Sequence, residues 1–63
     1  MRDPKRITKI LDELEEYWNN HPNWRLGQLL SNLSYELSGS NDPFFIEDEA
    51  LLDILKLKNE KNL

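Results

Sequence analysis

Cysteine is absent from this chain and histidine occurs once, as His21. The first absence excludes disulfides, thiolate nucleophiles and cysteine-based zinc sites. The second leaves one imidazole, in the turn-like stretch Asn19-Asn20-His21-Pro22 with no sequence-evident acid to orient it, so no nucleophilic triad can be assembled and we read His21 as structural or solvated. Glycine is confined to Gly27 and Gly39, too few and too far apart for a phosphate-cradling loop. No apolar run approaches the roughly 20 residues of a membrane-spanning helix, and the charged start, Arg2-Asp3-Pro4-Lys5-Arg6, is not followed by the apolar stretch of a signal sequence. We therefore expect a cytoplasmic, non-catalytic protein that carries no cofactor and no metal.

What the chain has in quantity is charge, with twelve acidic residues against eight basic ones and a net charge of −4. That balance argues against nonspecific binding to nucleic acid or to an anionic membrane. Sixty-three residues make a single domain, 1–63, which buries only about 60% of the surface of its unfolded chain. Scaffolds of this size usually need a staple. With no disulfide and no metal-ligand set, what remains is close helix packing or a second copy of the chain, and we expect a homodimer.

The hydrophobic pattern specifies an all-α fold of three helices: a pair at about 4–19 and 24–38 forming an αα-hairpin, then a third at about 47–58 after a longer loop. Asp3-Pro4 reads as an N-cap followed by proline in the first turn, where its missing N–H costs nothing. Ile7, Ile10, Leu11, Leu14 and Trp18 then recur at helical spacing and predict the core face, with Tyr17 at its edge. Leu26, Leu29, Leu30, Leu33 and Leu37 repeat that spacing, so the two faces can meet across the Asn20–Asn23 connection. Ser38-Gly39-Ser40-Asn41-Asp42-Pro43 breaks the second helix. Glu47-Asp48-Glu49 opens the third, and Leu51, Leu52, Ile54 and Leu55 supply its buried side. Residues 59–63 read as a fraying tail.

The charges of the first helix oppose its own dipole, with Lys5, Arg6 and Lys9 near its positive start and Glu13, Glu15 and Glu16 near its end. If the first and third helices run parallel, the basic start of one lies beside the acidic start of the other, and tertiary pairing offsets the mismatch.

The middle helix is short of charge around most of its circumference. Gly27, Ser31, Ser34 and Ser38 share one flank, and Gly27, which costs about 0.8–1 kcal/mol relative to alanine in a helix interior, predicts a closely approaching backbone, from the third helix, the following loop, a second copy or a foreign partner. Trp24, Gln28, Ser31 and Tyr35 line the back, while Arg25, Asn32 and Glu36 share the remaining edge. Phe44-Phe45-Ile46 cannot point all its side chains one way, and Leu57 points away from the core side of the third helix. Trp24, Gln28, Ser31, Tyr35, Phe44, Phe45 and Leu57 form the candidate partner surface. The competing reading is that Trp24 caps the core beneath the first interhelical turn and Tyr35 packs under Phe44-Phe45.

Other chemistry is poorly served. The acid pairs Asp12/Glu16 and Glu49/Asp53 fall on faces that read as solvated, whereas acid–base catalysis requires a cleft. Glu47-Asp48-Glu49 lacks the glycine and alternating ligands of an EF-hand. DNA recognition by a helix-turn-helix needs a turn of three or four residues and a recognition helix that tolerates phosphate; here the loop is about nine residues long and the helix opens with acids.

Lys5-Arg6-Ile7, Leu11, Trp18, Pro22, Leu26, Gln28, Leu30, Leu33 and the run Ile46-Glu47-Asp48 into Leu51-Leu52-Asp53-Ile54-Leu55-Lys56 together resemble the YihD-like family, small bacterial proteins carrying a domain of unknown function. The resemblance spans roughly Lys5 to Lys58, with Trp18, Pro22 and Gln28 its more specific part, and does not include the longer carboxy-terminal extension of one member of that family. It implies a cytoplasmic helical protein and brings no catalytic residues. Short versions of the pattern also resemble phage-encoded proteins. The expected function is a protein-interaction or regulatory module. The alternative is an acidic inhibitor that fills a basic groove on a nucleic-acid-processing or defence protein.

Overall fold

The computed structural model describes residues 3–61 of the chain. They form three α-helices, α1 (Lys5–Asn19), α2 (Leu26–Ser38) and α3 (Asp48–Lys61), with a 3-10 turn at Pro43–Phe45 between α2 and α3. No strand occurs among the described residues, and the three-helix all-α architecture read from the sequence is the one observed.

The helix ends have local causes. Asp3 Oδ1 accepts the Lys5 N–H at 2.9 Å while Pro4 already has helical angles (φ −64°, ψ −16°), so aspartate caps and proline fills the first turn. After α1 the His21 carbonyl accepts the Trp24 N–H at 3.0 Å, closing a tight turn over Pro22-Asn23. Consequently α2 starts at Leu26, two residues later than expected, and its N-cap is Arg25 rather than Asn23. Gly39 ends α2 in the left-handed region at φ 77°, its N–H bonded to the Tyr35 carbonyl at 2.7 Å. The Asp42 side chain caps the 3-10 turn by accepting the Phe44 N–H at 3.0 Å.

Two long-range ties set the relative direction of α1 and α3. Arg6 Nε meets Asp48 Oδ2 at 2.8 Å, and Asn59 Nδ2 donates to the Glu13 carbonyl at 3.0 Å. Early residues of both helices are therefore joined, and later residues of both are joined, so the first and last helices run parallel. Backbone packing is most extensive between α1 and α3; α1 and α2, although joined by a short turn, make no comparably close approach.

The core is Tyr17, Leu29, Leu33 and Leu55, with Leu14, Trp18, Trp24, Leu30, Leu51 and Ile54 packed around it. This corrects the expected use of α1: Tyr17, assigned to the edge, is buried, whereas Ile7 and Leu11, assigned to the core, are 50% and 56% exposed. The reason is where α3 sits. Its ties fall on Arg6 and Glu13, and with Ile10 and Tyr17 these make one helical row about a quarter turn from the middle of the apolar stripe. A second correction concerns the tail. Residues 59–61, expected to fray, continue α3, and Asn59 is buried. Residues 62 and 63 of that expected tail lie outside the described residues.

Candidate interaction surface

Trp24, offered both as a partner residue and as a cap on the core, is committed to the fold. Its indole stacks on His21 with ring centres 4.1 Å apart and planes at 13°, and Tyr17 meets both rings edge-on at 5.0 and 6.3 Å. Its carbonyl accepts the Trp18 indole N–H at 2.8 Å. The competing reading, in which Trp24 caps the core beneath the first turn, is the observed one. His21 thereby takes a packing role that the sequence left as structural or solvated.

Tyr35 behaves oppositely. It is 59% exposed and does not pack under the following segment, because Phe44 and Phe45 are themselves 82% and 76% exposed. The two phenyl rings touch each other edge-on, with centres 5.0 Å apart. The segment that carries them is anchored by its backbone: Ser34, buried on α2, donates its hydroxyl to the Asp42 carbonyl at 2.9 Å. A polar tie fixes the base of the turn while its aromatic tip stays in water.

Gln28 is exposed and Ser31 half-buried on α2. Leu57 is exposed as expected, in the second half of α3, roughly 14 Å along the helix from its start and so well removed from the residues that follow the phenyl pair. Within the chain nothing closes on Gly27: a Cβ built there meets nothing within 4 Å, so neither α3 nor the following loop supplies the approaching backbone. The flank is covered lower down instead, where Ser34 meets Asp42.

A shallow groove of about 350 Å³ is lined by Tyr17, Trp24, Asn32, Tyr35, Glu36 and Asn41. Two members, Trp24 and Tyr35, belong to the expected surface. Asn32 precedes Tyr35 by three residues and Glu36 by four, both helical spacings legible from the sequence, whereas Tyr17 from α1 and Asn41 from the loop were not foreseeable without the packing. Glu36 Oε1 holds Lys58 Nζ at 2.8 Å, and this hydrogen bond, foremost, raises the Lys58 pKa. Burial is the main cause raising the Tyr17 phenol above its ordinary value. On the outer side of α1 a second hollow of about 540 Å³ is lined by Leu11, Leu14, Glu15, Trp18, Asn19 and Pro22.

Among the described residues no helix is long and apolar enough to cross a membrane, and no group of three or more His, Cys, Asp or Glu side chains could hold a metal ion. Comparison with family models, with curated proteins and with solved structures finds no match.

Proposed function

We propose that this chain is a non-catalytic protein-interaction module of the cytoplasm whose anchor is the aromatic pair Phe44-Phe45. The supporting observation is their joint exposure on a turn whose backbone is pinned by Asp42 and Ser34. Large aromatics left in water on a rigid mount suit insertion into an apolar pocket, since little side-chain or loop ordering is lost on docking. Burying most of two phenylalanines at ~25 cal/mol per Å² supplies about 5–8 kcal/mol. Association itself costs ~4–15 kcal/mol, so the pair needs further contacts around it. The YihD-like resemblance is compatible with this role and is itself part of the proposal.

The test is covalent trapping in the source cell with a photo-crosslinking residue at position 45. Capture of one discrete partner, abolished by Phe44→Ser with an unaltered melting temperature, supports the reading. Capture unaffected by Phe44→Ser removes it. The acidic-inhibitor alternative draws on the net charge of −4 and the exposed Asp12, Glu15 and Glu16; it requires that the trapped partner be a basic nucleic-acid-processing or defence protein that loses activity on binding.

Self-association is a second reading, favoured by the uncovered Ile7 and Leu11 one turn apart on α1. It places the homodimer seam on α1, not on the back of α2 where Trp24 is already used. Sedimentation of the wild type and of Leu11→Lys decides it: a dimer converted to a monomer supports the seam, and a monomer in both cases rejects it.

A further inference from the structure

The groove on the back of α2 combines features that select one kind of side chain. Tyr17, Trp24 and Tyr35 contribute aromatic rings, Glu36 a carboxylate, and Asn32 and Asn41 amides. His21 already occupies one face of Trp24, so Tyr35, the most exposed of the three rings, offers the freest aromatic surface. Aromatic faces beside a carboxylate attract a cation. A quaternary ammonium wants an enclosed cage and carries no donors, whereas this groove is open and lined by two amides and a carboxylate. A guanidinium stacks flat on an aromatic face and still presents N–H donors to oxygens in its plane. An ammonium of lysine satisfies the carboxylate but not the stacking geometry.

We propose that this groove receives an arginine side chain of a partner protein. The inference rests on the interaction-module reading, and it supplies the further contact that the phenyl pair requires. Asn41 lines the groove and Phe44 follows three residues later, so the arginine subsite and the aromatic anchor lie within about 10 Å along the chain and one partner segment can engage both. Charge supports the choice of occupant. The protein carries a net charge of −4, and Asp42, Glu47 and Glu49 stand exposed around the aromatic turn. Two cations oppose it: Lys58 holds Glu36 from the α3 side and competes with an incoming guanidinium, and exposed Arg25 follows Trp24 in the chain.

The experiment is a titration of the isotope-labelled full chain, followed by NMR at low salt, with three blocked tripeptides, Gly-Arg-Gly, Gly-Lys-Gly and Gly-citrulline-Gly. The expected result is saturable movement of the Trp24 indole and of the Asn32 and Asn41 side-chain amides with the arginine peptide, several-fold weaker with lysine and absent with citrulline. Tyr35→Ala and Glu36→Gln, both at solvated positions, should weaken the arginine response several-fold without loss of fold, and Lys58→Ala should strengthen it by freeing Glu36. Equal response to arginine and lysine, insensitivity to Tyr35→Ala, or movement confined to residues outside the groove would overturn the assignment. Failure here alongside a partner trapped through position 45 refutes the arginine subsite alone; failure of both refutes the interaction reading as well.

Discussion

Asn59 is the side chain whose environment departs most from what its position in the sequence suggests. It is 8% exposed, gives its amide N–H groups to the carbonyl and carboxylate of Glu13 at 3.0 and 3.3 Å, and leaves its own Oδ1 without a hydrogen-bond partner. Asn59→Asp keeps the shape, removes both donors and sets a second carboxylate against Glu13. We expect a loss of about 2–4 kcal/mol by urea unfolding near neutral pH, shrinking as the pH falls and the new acid is protonated. An Asn59→Asp variant as stable as wild type would mean that the α1–α3 tie contributes nothing. Gly27 predicts the opposite sign. With open space at its Cβ and no positive φ, Gly27→Ala should raise stability by about 0.5–1 kcal/mol, and an equilibrium melt checks it. At this scale the sequence was a mixed guide. It identified a glycine that weakens a helix but not the reason for it, and it classed an asparagine near the end of the chain with the solvent because polarity alone cannot reveal a tertiary partner 46 residues away.

The three helices were legible as elements because each repeats its apolar residues at helical spacing and is bounded by Asp3-Pro4, His21-Pro22, Gly39 or an acidic first turn. Their faces were legible only in part. Periodicity reports which arc of α1 is apolar; it does not report which neighbour claims that arc, and α3 took the side bearing Arg6, Ile10, Glu13 and Tyr17, leaving Ile7 and Leu11 in water. The partner surface divided for the same reason: Phe44, Phe45 and Tyr35 stayed outside, whereas Trp24 was drawn into the first turn. The reversed charge order of α1, by contrast, was a usable tertiary signal, since Arg6 does find Asp48 at the start of α3. It yields a test in which neighbours differ in sign. Lys5 is exposed, so Lys5→Glu should stabilise α1 by about 0.3–1 kcal/mol through the helix dipole. Arg6→Glu should instead destabilise by about 1 kcal/mol at low salt, because it sets a carboxylate against Asp48. Both effects should fade with added salt; two stabilising changes would show that the dipole governs this end of α1, and two destabilising ones that charge pairing with the start of α3 outweighs it.

For the whole molecule, two groups bind α1, α2 and α3 into a common alkaline response. Tyr17 holds its proton more tightly when folded, chiefly because it is buried, and Lys58 does so chiefly through its hydrogen bond to Glu36. In both cases the folded state binds the proton better than the unfolded one. Their contribution is therefore complete at neutral pH and is lost as the pH rises from about 10 through the raised values. A melting temperature that falls above about pH 10, with a shallower fall in Tyr17→Phe, is the expected outcome; an unchanged slope in that variant would relieve Tyr17 of any part in it. A different consequence follows from the parallel run of the first and last helices. The ties that join them span 42 and 46 residues, so α1 and α3 dock only after a long loop has closed, whereas α3 can meet α2 first through Lys58 and Glu36, 22 residues apart. Folding should be slower than for a bundle of sequence-adjacent helices, and α1, although made first, should remain open to exchange until α3 docks. Amide protection in α1 and α3 would then rise and fall together, as one cooperative unit, when either is weakened.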